Sequence, residues 1–167
     1  MNLLSNYFML PILFILHDFE EMIFVPLWKN SKKVQSLNKT AKFFGRVNNG
    51  PAFSIGVLEE FVILLIISAI CQATHNTELY LGFCIAYAYH FLIHFRMCIQ
   101  YKGYVPGIYT VILQIPIMVI IILHYWKVDI FFIFYLIPIM LLSYINLYIM
   151  HKIMPSLQHW LLNLFKG

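Results

Sequence analysis

The sequence predicts an all-α membrane protein, a bundle of about five transmembrane helices with the N-terminus outside and the C-terminus cytoplasmic. Three observations predict it. First, 62% of the 167 residues are hydrophobic and only 11% are charged, with a mean hydropathy of +0.80. Soluble domains run at roughly 45–50% apolar and about 25% charged, so lipid is the natural solvent for this chain. Second, five stretches approach the ~20 mostly apolar residues a span needs: 7–27, 53–72, 79–99, 105–125 and 129–150. Third, ten of the eleven basic residues fall on one side of a five-span arrangement.

The first stretch, 7–27, is interrupted by Asp18, Glu20 and Glu21. It lacks the basic leader and the small-residue cleavage site of a signal peptide, so it is expected to be a retained span. Residues 28–52 follow as a basic cytoplasmic loop with Lys29, Lys32, Lys33, Lys39, Lys42 and Arg46 and no acid. Such a loop meets anionic headgroups, and nothing else in the chain supports nucleic-acid binding. The second span carries Glu59 and Glu60, and the turn near 73–78 carries no Lys or Arg. Arg96 and Lys102 mark the cytoplasmic end of the third span, and Lys127 is the lone basic residue of the fourth connection. The tail 151–167 has Lys152 and Lys166, with Leu157, Trp160, Leu161, Leu164 and Phe165 on an amphipathic pattern expected at the interface. The positive-inside rule then orients the chain. Trp28, Tyr104, Tyr125 and Trp126 fall at span ends, where interfacial aromatics belong. The whole of 1–167 reads as one membrane domain, in the cytoplasmic membrane of a prokaryote, with the lipid bilayer as its first partner and a homodimer as an open option.

Cys71, Cys84 and Cys98 are widely spaced in apolar stretches, so they read as small core residues rather than a disulfide or zinc framework. Pro11, Pro116 and Pro138 sit inside spans, which lipid-embedded helices tolerate. Phe131, Phe132, Phe134 and Tyr135 form an aromatic stripe suited to lipid or packing.

Five of the seven acidic residues lie inside these spans. Each ionised carboxylate in a membrane costs ~2.5–3.5 kcal/mol on insertion scales, on the order of 12–18 kcal/mol for all five. They need partners. At ~1.5 Å rise per residue, Glu20 and Glu21 lie roughly 11–12 Å in from Trp28, Glu59 and Glu60 about as far from Ala52, and His94 ~12 Å in from Lys102. His90 is one turn deeper. All share the cytoplasmic half, although Lys and Arg alone set the orientation. His17, Glu20 and Glu21 at i, i+3 and i+4 share one helix face, as do His90 and His94. Asp18 points elsewhere. Glu59 and Glu60 are adjacent, so only one is expected to enter the site, and the spacing does not choose between them.

Histidine and carboxylate side chains from different helices are a plausible ligand set for a divalent metal, zinc or iron. The expected ligands are His17, Glu20, Glu21, His90 and His94. Glu20, Glu21 and Glu60 are the candidate catalytic carboxylates. Glu59, Pro106, Gly107, Tyr109 and Thr110 complete the expected pocket, with Pro106 and Gly107 opening the fourth span. Neutral His–Glu hydrogen bonds that only tie helices together remain an alternative. His75, His124, His151 and His159 are expected in solvated or interfacial places.

His17-Asp18-Phe19-Glu20-Glu21 resembles the signature of the HXXEE-motif family of small membrane proteins. His94, then Tyr104-Val105-Pro106-Gly107 and Thr110, is similar to that family's second block. The resemblance runs from the first span to the fourth. It implies a site centred on His17, Glu20, Glu21 and His94, and implies no reaction, since the family is essentially uncharacterised. The residues favour a membrane-embedded, metal-dependent enzyme, a hydrolase or another acid–base catalyst, acting on a lipidic or amphipathic substrate. A proton- or cation-coupled transporter using the same cluster is the alternative, although no internal repeat is visible. A structural or partner-binding membrane protein is the third reading.

Overall fold

Helix boundaries fall where the chain carries capping chemistry. The computed structural model describes residues 6–35, 44, 49–127, 129, 130 and 132–164. It contains α1 (Met9–Lys29), the short α2 (Lys32–Gln35), α3 (Gly50–Thr74), α4 (Thr77–Tyr101), α5 (Ile108–His124) and α6 (Phe132–Leu164), and no strand among the described residues. Asn49 caps α3 by accepting from the Ala52 N–H at 2.9 Å, and Asn76 caps α4 by accepting from Leu79 at 2.9 Å. Asp129 does the same for α6 through the Phe132 N–H at 2.9 Å. Each side-chain oxygen satisfies a donor that has no partner within the helix. His75 and Lys102 end α3 and α4 in the left-handed conformation.

Three helices, α3, α4 and α6, are long and apolar enough to cross a membrane. The other two long helices differ for identifiable reasons. α1 holds Asp18, Glu20, Glu21 and Lys29 within its 21 residues. α5 has 17 residues, about 26 Å at ~1.5 Å per residue, slightly short of a ~30 Å hydrocarbon core. The tail departs from the expected separate interfacial segment: residues up to Leu164 continue α6 without a break, through Pro138 and Pro155. About half of the expected basic loop, including Lys39, Lys42 and Arg46, lies outside the described residues, as do Phe131, Phe165 and Lys166.

The exterior is largely apolar, and a few polar side chains sit within the apolar core. His17 and His94 are fully buried, while Ile99 is 78% exposed, Phe134 73% and Leu113 71%. In water such an apolar exterior would be an association surface; in lipid it is the expected exterior. α1 packs on α3, and α4 packs on both α5 and α6. Glycines allow close approach, as in membrane helix pairs generally: Gly56 of α3 lies under Met154 of α6, and Gly82 of α4 under Ile139 of α6.

Candidate metal centre

α1 and α4 bring their polar faces together, and the loop into α5 closes over them. His17 and Glu21, one turn apart on α1, point at His90 and His94, one turn apart on α4. Glu21 Oε1 lies 3.0 Å from His94 Nε2, 3.5 Å from His17 Nε2 and 4.0 Å from His90 Nε2. His90 Nε2 and His94 Nε2 are 2.9 Å apart. One ligand atom from each of the four residues lies within 4.8 Å of the others.

The donor set fits a divalent cation. In a tetrahedral site with bonds of about 2.0–2.1 Å, ligand atoms sit about 3.3 Å apart, in the middle of the observed spread. His17 Nε2 and Glu21 Oε1 are buried and have no hydrogen-bond partner among the described residues. Buried polar atoms are nearly always paired, and a cation held between these two would pair both. Three imidazoles and one carboxylate suit zinc or iron.

Gly107 makes room for the cluster. Its φ is +92°, a conformation L side chains rarely adopt. A Cβ there would lie 2.8 Å from His17 Cε1 and 3.0 Å from Glu21 Oε1, and closer still to His94 Cε1. As the N-cap of α5, Gly107 has no side chain with which to cap it. Glu20 supplies the cap from α1. Its Oε2 accepts from the Thr110 N–H at 2.8 Å and the Thr110 hydroxyl at 2.7 Å, and its Oε1 accepts from the Tyr104 hydroxyl at 2.8 Å. A carboxylate at a helix N-terminus is also favoured by the helix dipole. Burial and the Glu20 carboxylate push the Tyr104 hydroxyl above the usual phenol range, so it stays a donor. Glu20, expected among the ligands, is thus held away from them.

The chain belongs to the HXXEE family. The match is to the family described as proteins of unknown function with an HXXEE motif, and it covers residues 8–121. No curated protein and no solved structure matches the chain. The HXXEE motif accordingly divides by helix geometry. Its histidine and second glutamate join the four-residue group, while its first glutamate, about 100° around the helix, anchors α5.

The other expected residues separate as well. Asp18 is buried, with Oδ2 unpartnered among the described residues, and belongs to none of these contacts. Glu59 accepts from Asn146 Nδ2 of α6 at 3.2 Å, which turns it away from the cluster. Glu60 is half-buried and lies within electrostatic reach of Asp18 and Glu21. Pro106 is buried beside Gly107. Tyr109 is 65% exposed and stacks on Tyr104 with ring centroids 5.1 Å apart.

Several residues near the site were not singled out from the sequence. Tyr87 donates to Gln114 Oε1 at 2.8 Å, and Gln114 Nε2 donates to the Leu13 carbonyl at 2.9 Å, tying α4, α5 and α1 one turn from His17. Gln114 carries a readable signal, a lone amide in an apolar span. Phe44, beyond α2, is buried with its ring 6.4 Å from His94, and its carbonyl accepts from Lys29 Nζ at 2.9 Å. Of the four outlying histidines, His75, His124 and His159 are exposed or nearly so. His151 is half-buried on α6, within electrostatic reach of His90 and Glu21; the continuous α6 brings it there.

Proposed function

We propose that this protein is a membrane-embedded enzyme that uses a divalent metal, zinc or iron, for hydrolytic or related acid–base chemistry on a lipidic or amphipathic substrate. The observation that carries the reading is the convergence of His17, Glu21, His90 and His94 within 4.8 Å, with His17 Nε2 and Glu21 Oε1 buried and unpaired among the described residues. When bound, such a cation supplies Lewis acidity and lowers the pKa of water. The chain's own residues do the rest. His17, His90 and His94 would offer ring nitrogens to the cation, and Glu21 the balancing charge. Glu60, within electrostatic reach of Glu21 but outside the cluster, is the general base of this reading. His90, with 31% of its side chain exposed, marks the way in. The apolar exterior favours a substrate that arrives through the bilayer. All five long helices span in this reading, with the N-terminus outside.

Metal analysis of the purified protein tests it. Stoichiometric zinc or iron, lost in His17→Ala and His94→Ala, is the expected result. Protein that stays metal-free after incubation with either ion sinks the metalloenzyme. A second reading, cation- or proton-coupled transport, draws on the acidic groups Asp18, Glu60 and Glu59 that lead from the cluster toward Asn146 of α6. Uptake into proteoliposomes driven by a pH gradient would favour it.

A further inference from the structure

The Thr110 hydroxyl touches three polar atoms and has one proton to give. Its Oγ1 is 2.7 Å from Glu20 Oε2, 2.9 Å from the Gly107 carbonyl and 2.9 Å from His17 Nδ1. The first two neighbours are acceptors. If the proton went to His17, both oxygen–oxygen contacts would be left without hydrogen. Donation to Glu20 leaves only one such contact and makes the stronger, charge-assisted bond. The Gly107 carbonyl already accepts from the Val111 N–H at 3.0 Å, so it loses least. Thr110 therefore accepts from His17, and His17 Nδ1 carries a proton.

We infer that Glu20 and Thr110 are a positioning pair that fixes a proton on His17 Nδ1 and so turns Nε2 toward the Glu21, His90 and His94 cluster. This rests on the metal reading only for its purpose; the Nδ1 proton itself follows from the hydrogen bonds. The first glutamate of the motif acts through Thr110 rather than as a ligand. Partners of this kind orient metal-binding histidines and set their tautomer. The same arrangement turns His17 Nε2, buried without a hydrogen-bond partner among the described residues, toward the Glu21 carboxylate 3.5 Å away, where a cation would be shared by both.

Nitrogen-15 NMR of histidine-labelled, metal-free protein reads the tautomer directly, with the His17 signals assigned by their loss in His17→Gln. The expected spectrum has His17 protonated at Nδ1. A His17 Nδ1 without a proton in the wild type overturns the inference. Zinc(II) binding, measured by competition with a chelator, gives the second readout. Thr110→Val keeps the side-chain shape and the backbone N–H to Glu20, and is expected to weaken zinc about 10–100-fold and to mix the His17 tautomers. Thr110→Ser restores both. Undiminished zinc affinity in Thr110→Val, with its tautomer unchanged, overturns the pairing. If the wild type shows the Nδ1 proton yet binds neither zinc nor iron, the pairing stands and the metalloenzyme falls.

Discussion

Glu21 Oε1 stands 3.0 Å from His94 Nε2, yet it has no hydrogen-bond partner among the described residues. In the proposed centre the two would share one ion. Glu20, its neighbour in sequence, has both carboxylate oxygens occupied by Tyr104 and Thr110.

The two glutamates should therefore respond differently to loss of charge. Glu21→Gln is expected to abolish stoichiometric metal, because a neutral amide is a poor ligand for a divalent ion in a low-dielectric site. Glu20→Gln should keep metal but bind it more weakly, about 10–100-fold by its outer position. Elemental analysis and chelator competition on the two variants separate them. Equal losses would contradict the division of the motif.

Gly107→Ala should disturb the centre more than the fold. Placing alanine at φ +92° costs on the order of 1–3 kcal/mol, and its Cβ would push on the His17 and His94 rings. We expect a lower melting temperature in detergent together with loss of metal. Gly103→Ala, at an exposed position of ordinary φ, should change neither. Full metal occupancy in Gly107→Ala would mean the cluster has more room than the geometry allows.

Tyr87→Phe tests the tie between α1, α4 and α5. It leaves Gln114 Oε1 buried without its donor, a loss of about 1–3 kcal/mol. Thermal or denaturant unfolding should show that loss while zinc stoichiometry is retained. A variant of unchanged stability would remove the network from the account of how the helices are held.

The orientation is open to cysteine labelling. With a membrane-impermeant maleimide on intact cells, Asp129→Cys should react at once and Ser36→Cys, in the basic loop, only after permeabilisation. The native thiols Cys71 and Cys84 are buried and Cys98 is half-buried, so their background should be low. The opposite pattern would invert the topology.

Much of this protein was legible before folding. Hydropathy and length marked the long helices, because a backbone in lipid must satisfy its hydrogen bonds within the segment. Carboxylates and histidines in apolar stretches marked a site, because an unpartnered charge there is costly. The i, i+4 spacing paired His17 with Glu21 and His90 with His94. What spacing along one helix cannot carry is the contact between helices. Glu20 and Glu21 are both on the inward side of α1, and only the position of the α5 N-terminus makes one a cap and the other a member of the cluster. Glu59 and Glu60 were separated by where Asn146 of α6 sits. Tyr87, Phe44 and His151 joined the surroundings through packing between segments far apart in the chain. Local periodicity and the cost of charge in lipid thus set the helices and the presence of a His/Glu site. Which donor atoms converge was left to packing, because that depends on how helices distant in the chain approach one another.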